Sequence, residues 1–232
     1  MNWKEREEPL MLAILTVAIA PALALMTFIY LSKRIELEPL PLIVRTFITG
    51  AILVFPLLFV QYAFETEGIF QSPLLKSFIM AGLLEEFFKW FIFLFTIYKH
   101  TSFDHHYDGI IYGVAISLGF ATVENIIYLF ANGIEFAIGR AIFPVSSHAL
   151  FGILMGFYVG KAKFNSDLKR IRLGLALLIP WSLHGTYDWI LEQPFYNWLY
   201  YIIPFMIVLW VLGIRKIKLA NDHHIKLVKE ER

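Results

Sequence analysis

Three ionisable side chains lie close together inside an apolar stretch that runs from Leu74 to Tyr98. They are Glu85, Glu86 and Lys89, within the sequence Gly-Leu-Leu-Glu-Glu-Phe-Phe-Lys-Trp. A stretch of this length can cross a bilayer, which takes about 20 apolar residues, and a charge near the bilayer centre costs at least about 2.5 kcal/mol on insertion scales. Glu85 and Lys89 share a helix face. The three residues therefore form either an ion pair that locks helix packing or part of a water-filled catalytic cavity.

Three later apolar stretches carry polar side chains as well. Glu124 is followed by Asn125, His148 comes after two serines, and His184 stands four residues before Asp188 on the same helix face. Packing alone explains each of them separately, as a satisfied buried histidine or as a hydrogen bond between His184 and Asp188. Such groups on four consecutive apolar segments favour one shared cavity, because ionisable residues inside a membrane avoid the lipid.

These residue types are suited to hydrolysis. A carboxylate takes a proton from water as general base, and we assign this role to Glu85, with Glu86 and Lys89 orienting it or tuning its pKa. His184 and Asp188 stabilise the oxyanion or supply a further ligand. The signatures of several other hydrolases are missing, since the chain has no Cys, no His-Glu-x-x-His sequence and no Gly-x-Ser-x-Gly sequence.

Glu124 and His148 complete the site, where they hold either the reacting water or a metal ion. Histidine and carboxylate side chains bind divalent metals such as zinc, and a bound metal lowers the pKa of its water. If the enzyme is metal-dependent, the predicted ligands are Glu124, His148 and His184. The alternative is a glutamate-type enzyme that works without a metal.

Composition indicates a polytopic membrane protein. The 232 residues are 58% hydrophobic and only 17% charged, whereas average soluble chains are about 25% charged. Hydropathy and helix breakers predict an all-α transmembrane helix bundle. Its seven spans lie at about residues 9–31, 40–64, 73–98, 108–130, 141–160, 171–191 and 194–214. Residues 134–145 either lie in the membrane interface or begin an eighth span.

The chain is predicted to be one integral membrane domain, residues 1–232. Its motif-bearing core lies at about residues 73–191, and a charged tail, residues 215–232, follows the last span. Ser72 and Pro73 are a start signal for the third span. Glycines at four-residue spacing predict close packing of helices in the fourth and fifth spans, at Gly109, Gly113, Gly152, Gly156 and Gly160.

The Lys and Arg residues predict the orientation. Fourteen of them lie in loops on one side or in the C-terminal tail, and three lie on the other side. Cytoplasmic loops are enriched in Lys and Arg, so the C-terminus is predicted to be cytoplasmic and the protein to lie in the cell membrane. In this orientation Glu124, His148 and His184 each lie about seven residues, or about 10 Å, inside the outer end of their spans. The predicted cavity is therefore in the outer half of the bilayer.

Taken together, these motifs resemble the PrsW family of intramembrane proteases. The resemblance covers about residues 75–190, and it rests on Glu85-Glu86-x-x-Lys89, Phe120-x-x-x-Glu124-Asn125, Ser-Ser-His148 and His184-x-x-x-Asp188. The plan is similar to that of the wider CAAX prenyl endopeptidase and bacteriocin-processing (Abi) superfamily, which has Glu-Glu-x-x-x-Arg and Phe-x-x-x-His. Here the basic residue comes one position early and Glu124 replaces a histidine. Both departures favour PrsW over a prenyl-protein endopeptidase, and a CAAX-type prenyl-protein or bacteriocin-processing protease is the alternative within the superfamily.

The resemblance implies an endopeptidase that cleaves a membrane-anchored anti-sigma factor on its extracytoplasmic side. This is the first cut in a stress response, after which a second intramembrane protease releases the sigma factor. The implied partners are a single-span membrane protein and the lipid bilayer, and no basic stripe suits nucleic acid. The family has been grouped with metallopeptidases, while its relatives resemble glutamate proteases that need no metal.

Two other functional classes compete with a protease. In a proton- or ion-coupled transporter the same carboxylates and histidines would relay protons, but no inverted repeat with paired broken helices is visible. The second class is a non-catalytic membrane sensor or scaffold. Substitution of Glu85 separates these classes, because a scaffold that still folds should keep its function.

Overall fold

The computed structural model describes residues 3–34, 36–165, 167–194 and 197–230 of the chain. These residues form seven long helices and no strands, which confirms the predicted all-α class. The helices are α1 (Trp3–Leu31), α2 (Leu40–Thr66), α3 (residues 73–96), α4 (His106–Asn132), α5 (Ile134–Phe164), α6 (Lys169–Glu192) and α7 (Leu199–Glu230). In α3, a π-helical segment, Lys76–Leu83, joins α-helical Pro73–Leu75 to α-helical Leu84–Thr96. In α5, another π-helical segment, Ala141–Val145, precedes the α-helical part Ser146–Phe164.

Four of the described helices are long and apolar enough to cross a membrane. They contain the segments Pro9–Leu31, Leu40–Thr66, His106–Asn132 and Ile134–Phe164. Residues 134–145, for which the sequence left two placements open, are the first turns of α5 and continue directly into the predicted fifth span.

The last helix continues beyond its predicted end at residue 214. It runs to Glu230, so most of the predicted tail 215–232 extends α7, and the final two residues lie outside the described ones. At the start of α3 the predicted signal is present, because the Ser72 side chain accepts a hydrogen bond from the Leu75 backbone N–H at 3.3 Å, with Pro73 at the first helical position.

Helix α4 is the centre of the bundle. All residues from His106 to Thr122 are buried, and the helix packs against α1, α2 and α5. The glycine positions explain how α4 and α5 approach so closely. A Cβ atom added at Gly113 would lie 3.1 Å from the Gly156 Cα, and one added at Gly156 would lie 2.7 Å from the Ile110 Cα. The predicted close packing of these two helices is therefore confirmed.

We expect Gly156→Ala to lower the free energy of unfolding by about 1–3 kcal/mol, because the added methyl group overlaps the α4 backbone and forces the helices apart. The matched control is Gly174→Ala in α6, where nothing lies within 4 Å of the new Cβ. This variant should unfold at the wild-type temperature or above it, because Ala has a higher helix propensity than Gly. Thermal unfolding in detergent measures both variants. Equal melting temperatures for the two would contradict the close-packing account.

A buried ion cluster fixes the end of the bundle at which α1 ends and α4 begins. The Lys33 ammonium lies 2.6 Å from a Glu38 carboxylate oxygen and 2.8 Å from an Asp108 carboxylate oxygen. The Tyr112 hydroxyl donates to Glu38, and Asp108 accepts the backbone N–H of Asp104 at 3.0 Å. Burial lowers the pKa of Lys33, but its hydrogen bonds to Asp108 and Glu38 outweigh this effect and raise the pKa above the ordinary lysine value.

Candidate active site

A polar cavity of about 560 Å³ opens at the other end of the bundle. Five helices contribute to it, through the last turns of α2, α4 and α6 and the first turns of α3 and α5. Five of the seven residues that sequence analysis singled out line this cavity, namely Glu85, Glu124, His148, His184 and Asp188. The structure therefore brings side chains from four helices to one place.

The other two residues from the sequence analysis lie directly behind the cavity wall. Glu86 and Lys89 are fully buried, with no exposed side-chain surface, whereas Glu85 faces the cavity. Neighbouring positions on a helix point about 100° apart, so only one of two consecutive glutamates can face the opening. Of these two glutamates, Glu85 is thus the one that water in the cavity can reach.

Both π-helical segments stand immediately before site residues. Lys76–Leu83 precedes Glu85 and Glu86, and Ala141–Val145 precedes His148. Segments of this kind occur frequently at functional sites, because the wider turn interrupts the regular hydrogen-bond ladder and redirects side chains. In α3 two backbone carbonyls accept side-chain donors, the Phe78 carbonyl from Trp181 at 2.6 Å and the Met80 carbonyl from Gln61 at 3.0 Å.

Glycines let α3 and α6 meet beside the site. A Cβ atom at Gly82 would lie 3.0 Å from the Gly185 backbone nitrogen, so the two helices touch backbone to backbone. His184 stands next to Gly185, and its Nδ1 lies 2.9 Å from a Glu86 carboxylate oxygen. This close approach gives a histidine on α6 direct access to a carboxylate on α3.

Lys89 is the central residue of the buried layer, which is the set of ionisable side chains in and behind the cavity wall. Its ammonium lies 2.8 Å from Glu86 Oε1, 3.2 Å from Glu85 Oε2 and 3.2 Å from His148 Nδ1. It also stands 4.2 Å from the centre of the Phe120 ring. Of the two interpretations of this stretch, an ion pair and a cavity, the structure contains both, since Glu85 pairs with Lys89 and also lines the cavity.

Each histidine of the site is held by a carboxylate on its cavity side. His148 Nε2 lies 3.0 Å from Glu124 Oε2, and His184 Nε2 lies 3.3 Å from Asp188 Oδ2 and 3.9 Å from Glu85 Oε2. A carboxylate partner fixes the orientation of an imidazole ring and the position of its proton. Phe151 stacks on the His184 ring at a centroid distance of 5.0 Å, so that ring is held on its face as well.

Gln61 and Arg140 line the cavity, and the sequence analysis did not single them out as site residues. Gln61 on α2 donates to Glu85 Oε1 at 3.4 Å as well as to the Met80 carbonyl. Arg140 lines the cavity, and its Nε donates to the Asn125 side-chain oxygen at 3.1 Å. The available signals were a glutamine inside an apolar span, and an arginine in the segment 134–145 that was counted only as a loop charge.

Comparisons with known proteins identify the family. The model of the PrsW family of intramembrane metalloproteases matches residues 38–212. The chain belongs to the PrsW family. It is 53% identical over 215 residues to Protease PrsW of Oceanobacillus iheyensis, which covers 93% of this chain and 99% of the relative.

Two further relatives carry the same name. Identity is 49% to Protease PrsW of Bacillus subtilis, over 91% of this chain and 97% of the relative, and 34% to that of Clostridioides difficile, over 93% and 94%. No solved structure matches the chain significantly. The PrsW relatives identify the chain as a membrane-embedded peptidase, which favours the protease prediction over a transporter or a scaffold.

The matched family is one of intramembrane metalloproteases, and four side chains of this site could in principle surround a metal ion. Glu85, Glu86, His148 and His184 have ligand atoms that all lie within 4.8 Å of one another, a donor set that suits a divalent metal. Glu86 Oε2 is buried without a hydrogen-bond partner among the described residues. The Lys89 ammonium, however, already contacts three of these four side chains. The residues in this arrangement therefore do not fit a metal ion.

We expect Gln61→Leu to slow peptide cleavage about tenfold or more, since Leu keeps the bulk but removes the donor to Glu85, and a hydrogen bond to a charged group is worth about 1.5–3 kcal/mol. The loss should fall on kcat rather than KM, because Gln61 positions the carboxylate instead of binding the peptide. Steady-state kinetics measure both constants. An unchanged kcat with only a lower melting temperature would limit Gln61 to stabilising the π-helical segment.

Proposed function

We propose that this chain is a glutamate-type intramembrane endopeptidase that cleaves a single-span membrane protein, an anti-sigma factor, on the extracytoplasmic side. The observation that carries the proposal is the position of Glu85. Glu85 lines the cavity, the residue is 96% buried, and its carboxylate contacts Lys89 through one oxygen and Gln61 through the other. A buried carboxylate beside a cavity that can hold water is placed to act as a general base.

The reaction follows from the neighbours of Glu85. Glu85 takes a proton from a water molecule, whose oxygen attacks the carbonyl carbon of the scissile peptide bond. His184 Nε2 lies 3.3 Å from Asp188 and 3.9 Å from Glu85, and its N–H is shared between Asp188 and the oxyanion that forms. The C–N bond then breaks, and the proton held by Glu85 passes to the leaving amine nitrogen.

The remaining site residues support this chemistry. Glu124 and His148 hold the water from the opposite wall, and Asp188 and Glu86 orient the His184 ring. The terminal nitrogens of Arg140 have no hydrogen-bond partner among the described residues, although the side chain lines the cavity. They are available to bind a carbonyl oxygen of the substrate.

The orientation is proposed from the two ends of the bundle. The cavity opens at the end of the bundle where the connections from α2 to α3, from α4 to α5 and from α6 to α7 lie. The opposite end carries the loops around Lys33, Lys99 and Lys169 and the C-terminal end of α7. Because basic loops stay in the cytoplasm, the cavity opens on the extracytoplasmic side. With seven spans the C-terminus is cytoplasmic and the N-terminus is outside.

The α2 side of the cavity wall is suited to a substrate that approaches through the membrane. Leu58 and Tyr62 of α2 line the cavity and are 39% and 66% exposed. Exposed apolar and aromatic side chains at the edge of the cavity offer a membrane-anchored peptide a surface along which it can reach Glu85. The resemblance of the motifs to PrsW supplies the substrate class, a membrane-anchored anti-sigma factor.

Co-reconstitution in lipid vesicles tests the proposal. The purified protein and a single-span anti-sigma factor are incubated together, and mass spectrometry locates the cleaved bond. We expect a cut on the extracytoplasmic side of the substrate, and none with the Glu85→Gln variant. A cut on the cytoplasmic side, or equal cleavage by both forms, would overturn the proposal.

Single-cysteine labelling tests the orientation independently. The chain has no Cys, so Asn165→Cys introduces one thiol, in the loop between α5 and α6. We expect an impermeant maleimide to leave this thiol unlabelled in intact cells and to label it after the membrane is opened. A cysteine at Glu67, between α2 and α3, is the matched control and should label in intact cells. The reverse pattern would invert the proposed topology.

A further inference from the structure

We infer that the Lys89 ammonium is the resident cation of this site and takes the place in which a metal ion would bind. The inference deepens the glutamate-type mechanism proposed above, although it rests on the arrangement of the buried layer and on no property of the substrate. It departs from the metalloprotease description of the family.

The geometry places Lys89 at the centre of the donor set. Its Nζ lies within 3.2 Å of Glu85, Glu86 and His148, which are three of the four side chains close enough together to bind one metal. The carboxylate contacts are charge-assisted hydrogen bonds, which are about twice as strong as neutral ones. A divalent ion bound to the same oxygens would stand within a few ångströms of this ammonium, where like charges repel strongly in a low-dielectric interior.

The histidines are engaged in the same network. His148 presents Nδ1 to Lys89 at 3.2 Å and Nε2 to Glu124 at 3.0 Å. His184 presents Nδ1 to Glu86 at 2.9 Å and Nε2 to Asp188 at 3.3 Å. All four ring nitrogens therefore already have partners, and a metal would have to displace one of them as well as the ammonium.

The Lys89 ammonium is enclosed by protein. The side chain is fully buried, and the Phe120 ring covers the ammonium at 4.2 Å. Phe120 itself is only 2% exposed. A lysine on the surface would swing into water when a metal arrived, whereas this buried ammonium would have to give up its charged partners, which is costly.

Substitution of Lys89 should open this site to a metal ion. Removing the ammonium leaves Glu85, Glu86, His148 and His184 with ligand atoms within 4.8 Å and no cation between them. Lys89→Met keeps most of the stem and removes only the charged end. This variant should therefore gain a metal site that the wild-type protein lacks.

Cobalt(II) is the probe, because its visible absorption reports coordination directly. Wild-type protein and Lys89→Met are purified in detergent, stripped with chelator and titrated with Co²⁺, and the metal content of untreated wild-type protein is measured by mass spectrometry. We expect wild type to contain no stoichiometric metal and to bind Co²⁺ at least 100-fold more weakly than Lys89→Met. The double variant Lys89→Met/Glu86→Gln should bind at least tenfold more weakly than Lys89→Met.

Two results would overturn the inference. One is wild-type protein that holds one equivalent of metal and loses cleavage when the metal is removed. The other is folded Lys89→Met that binds Co²⁺ no better than wild type. If Lys89→Met folds only when Co²⁺ is present, the inference is supported, and if it does not fold at all, the metal content and chelator response of wild type decide. A metal-free wild type that cleaves no anti-sigma factor would refute the proposed function and leave the assignment of Lys89 standing.

Discussion

Replacing Glu85 with Gln is expected to slow peptide cleavage by about 10²–10⁴-fold and to leave the protein folded. Gln keeps the volume and one acceptor oxygen of the side chain but cannot take a proton from water, and general-base catalysis contributes a factor of this size. Lys89 keeps its contacts to Glu86 at 2.8 Å and to His148 at 3.2 Å, so the buried layer retains its main ion pair. Single-turnover cleavage and thermal unfolding in detergent give the two readouts.

Glu86→Gln is the matched control, since it makes the same chemical change one residue along the chain. Glu86 is fully buried and holds both Lys89 and His184, so its substitution should cost mainly stability. Loss of one partner of a buried ion pair is worth up to about 3–5 kcal/mol. We therefore expect different patterns, with the much larger loss of cleavage in Glu85→Gln and the larger loss of stability in Glu86→Gln, whose smaller effect on cleavage comes from the His184 ring that it orients. The same pattern in both variants would remove the distinction between the two glutamates.

The double variant Glu85→Gln/Lys89→Met examines the purely structural account of the same stretch. If Glu85 serves mainly to pair with Lys89, removing both partners should restore stability and cleavage together. If Glu85 is the general base, the double variant folds but stays inactive. Recovered cleavage in the double variant would return Glu85 to a structural role.

Helix positions and inter-helix packing were predictable because local rules determine them. A bilayer sets a minimum apolar length, so the intervals that became α2 and α4 follow from hydropathy alone. Gly109 and Gly156 have no side chain to keep helices apart, so the glycine spacing predicted close packing of their helices, and the structure shows that α4 and α5 pack against each other. The sharing of one cavity by Glu124 and His184 was predictable for a similar reason, because polar groups in lipid must find one another.

The details of the site depend on tertiary contacts that no local pattern encodes. Which of Glu85 and Glu86 faces the cavity depends on the π-helical turn before them, and that turn is supported by Gln61 from α2 and Trp181 from α6. Nothing in the sequence near residue 80 indicates this turn. The central place of Lys89 follows from its contact with His148, 59 positions away, and spacing within α3 predicted only the pair with Glu85.

The second large effect is expected for His184→Phe, which should reduce cleavage by about 10²–10³-fold. Phe keeps an aromatic ring stacked on Phe151, whose centroid lies 5.0 Å away, but it removes both ring nitrogens. The donor to the oxyanion is then lost, and removal of one such donor typically costs this factor in kcat. Lys89 still pairs with Glu86, so the protein should fold.

Asp188→Asn tests the carboxylate that orients the His184 ring, and leaves the oxyanion donor His184 itself in place. Asn keeps an acceptor for His184 Nε2 and the ring remains bound to Glu86 at 2.9 Å through Nδ1, so we expect a smaller loss of kcat than in His184→Phe. Phe151→Leu controls for ring packing, because it removes the stacked ring and leaves both nitrogens of His184 in place.

Since the oxyanion exists only in the transition state, KM should change little in His184→Phe. A normal kcat with a raised KM would instead identify His184 as a substrate-binding residue, and the oxyanion donor would then have to be sought among other nitrogen donors that line the cavity, such as Arg140 or His148.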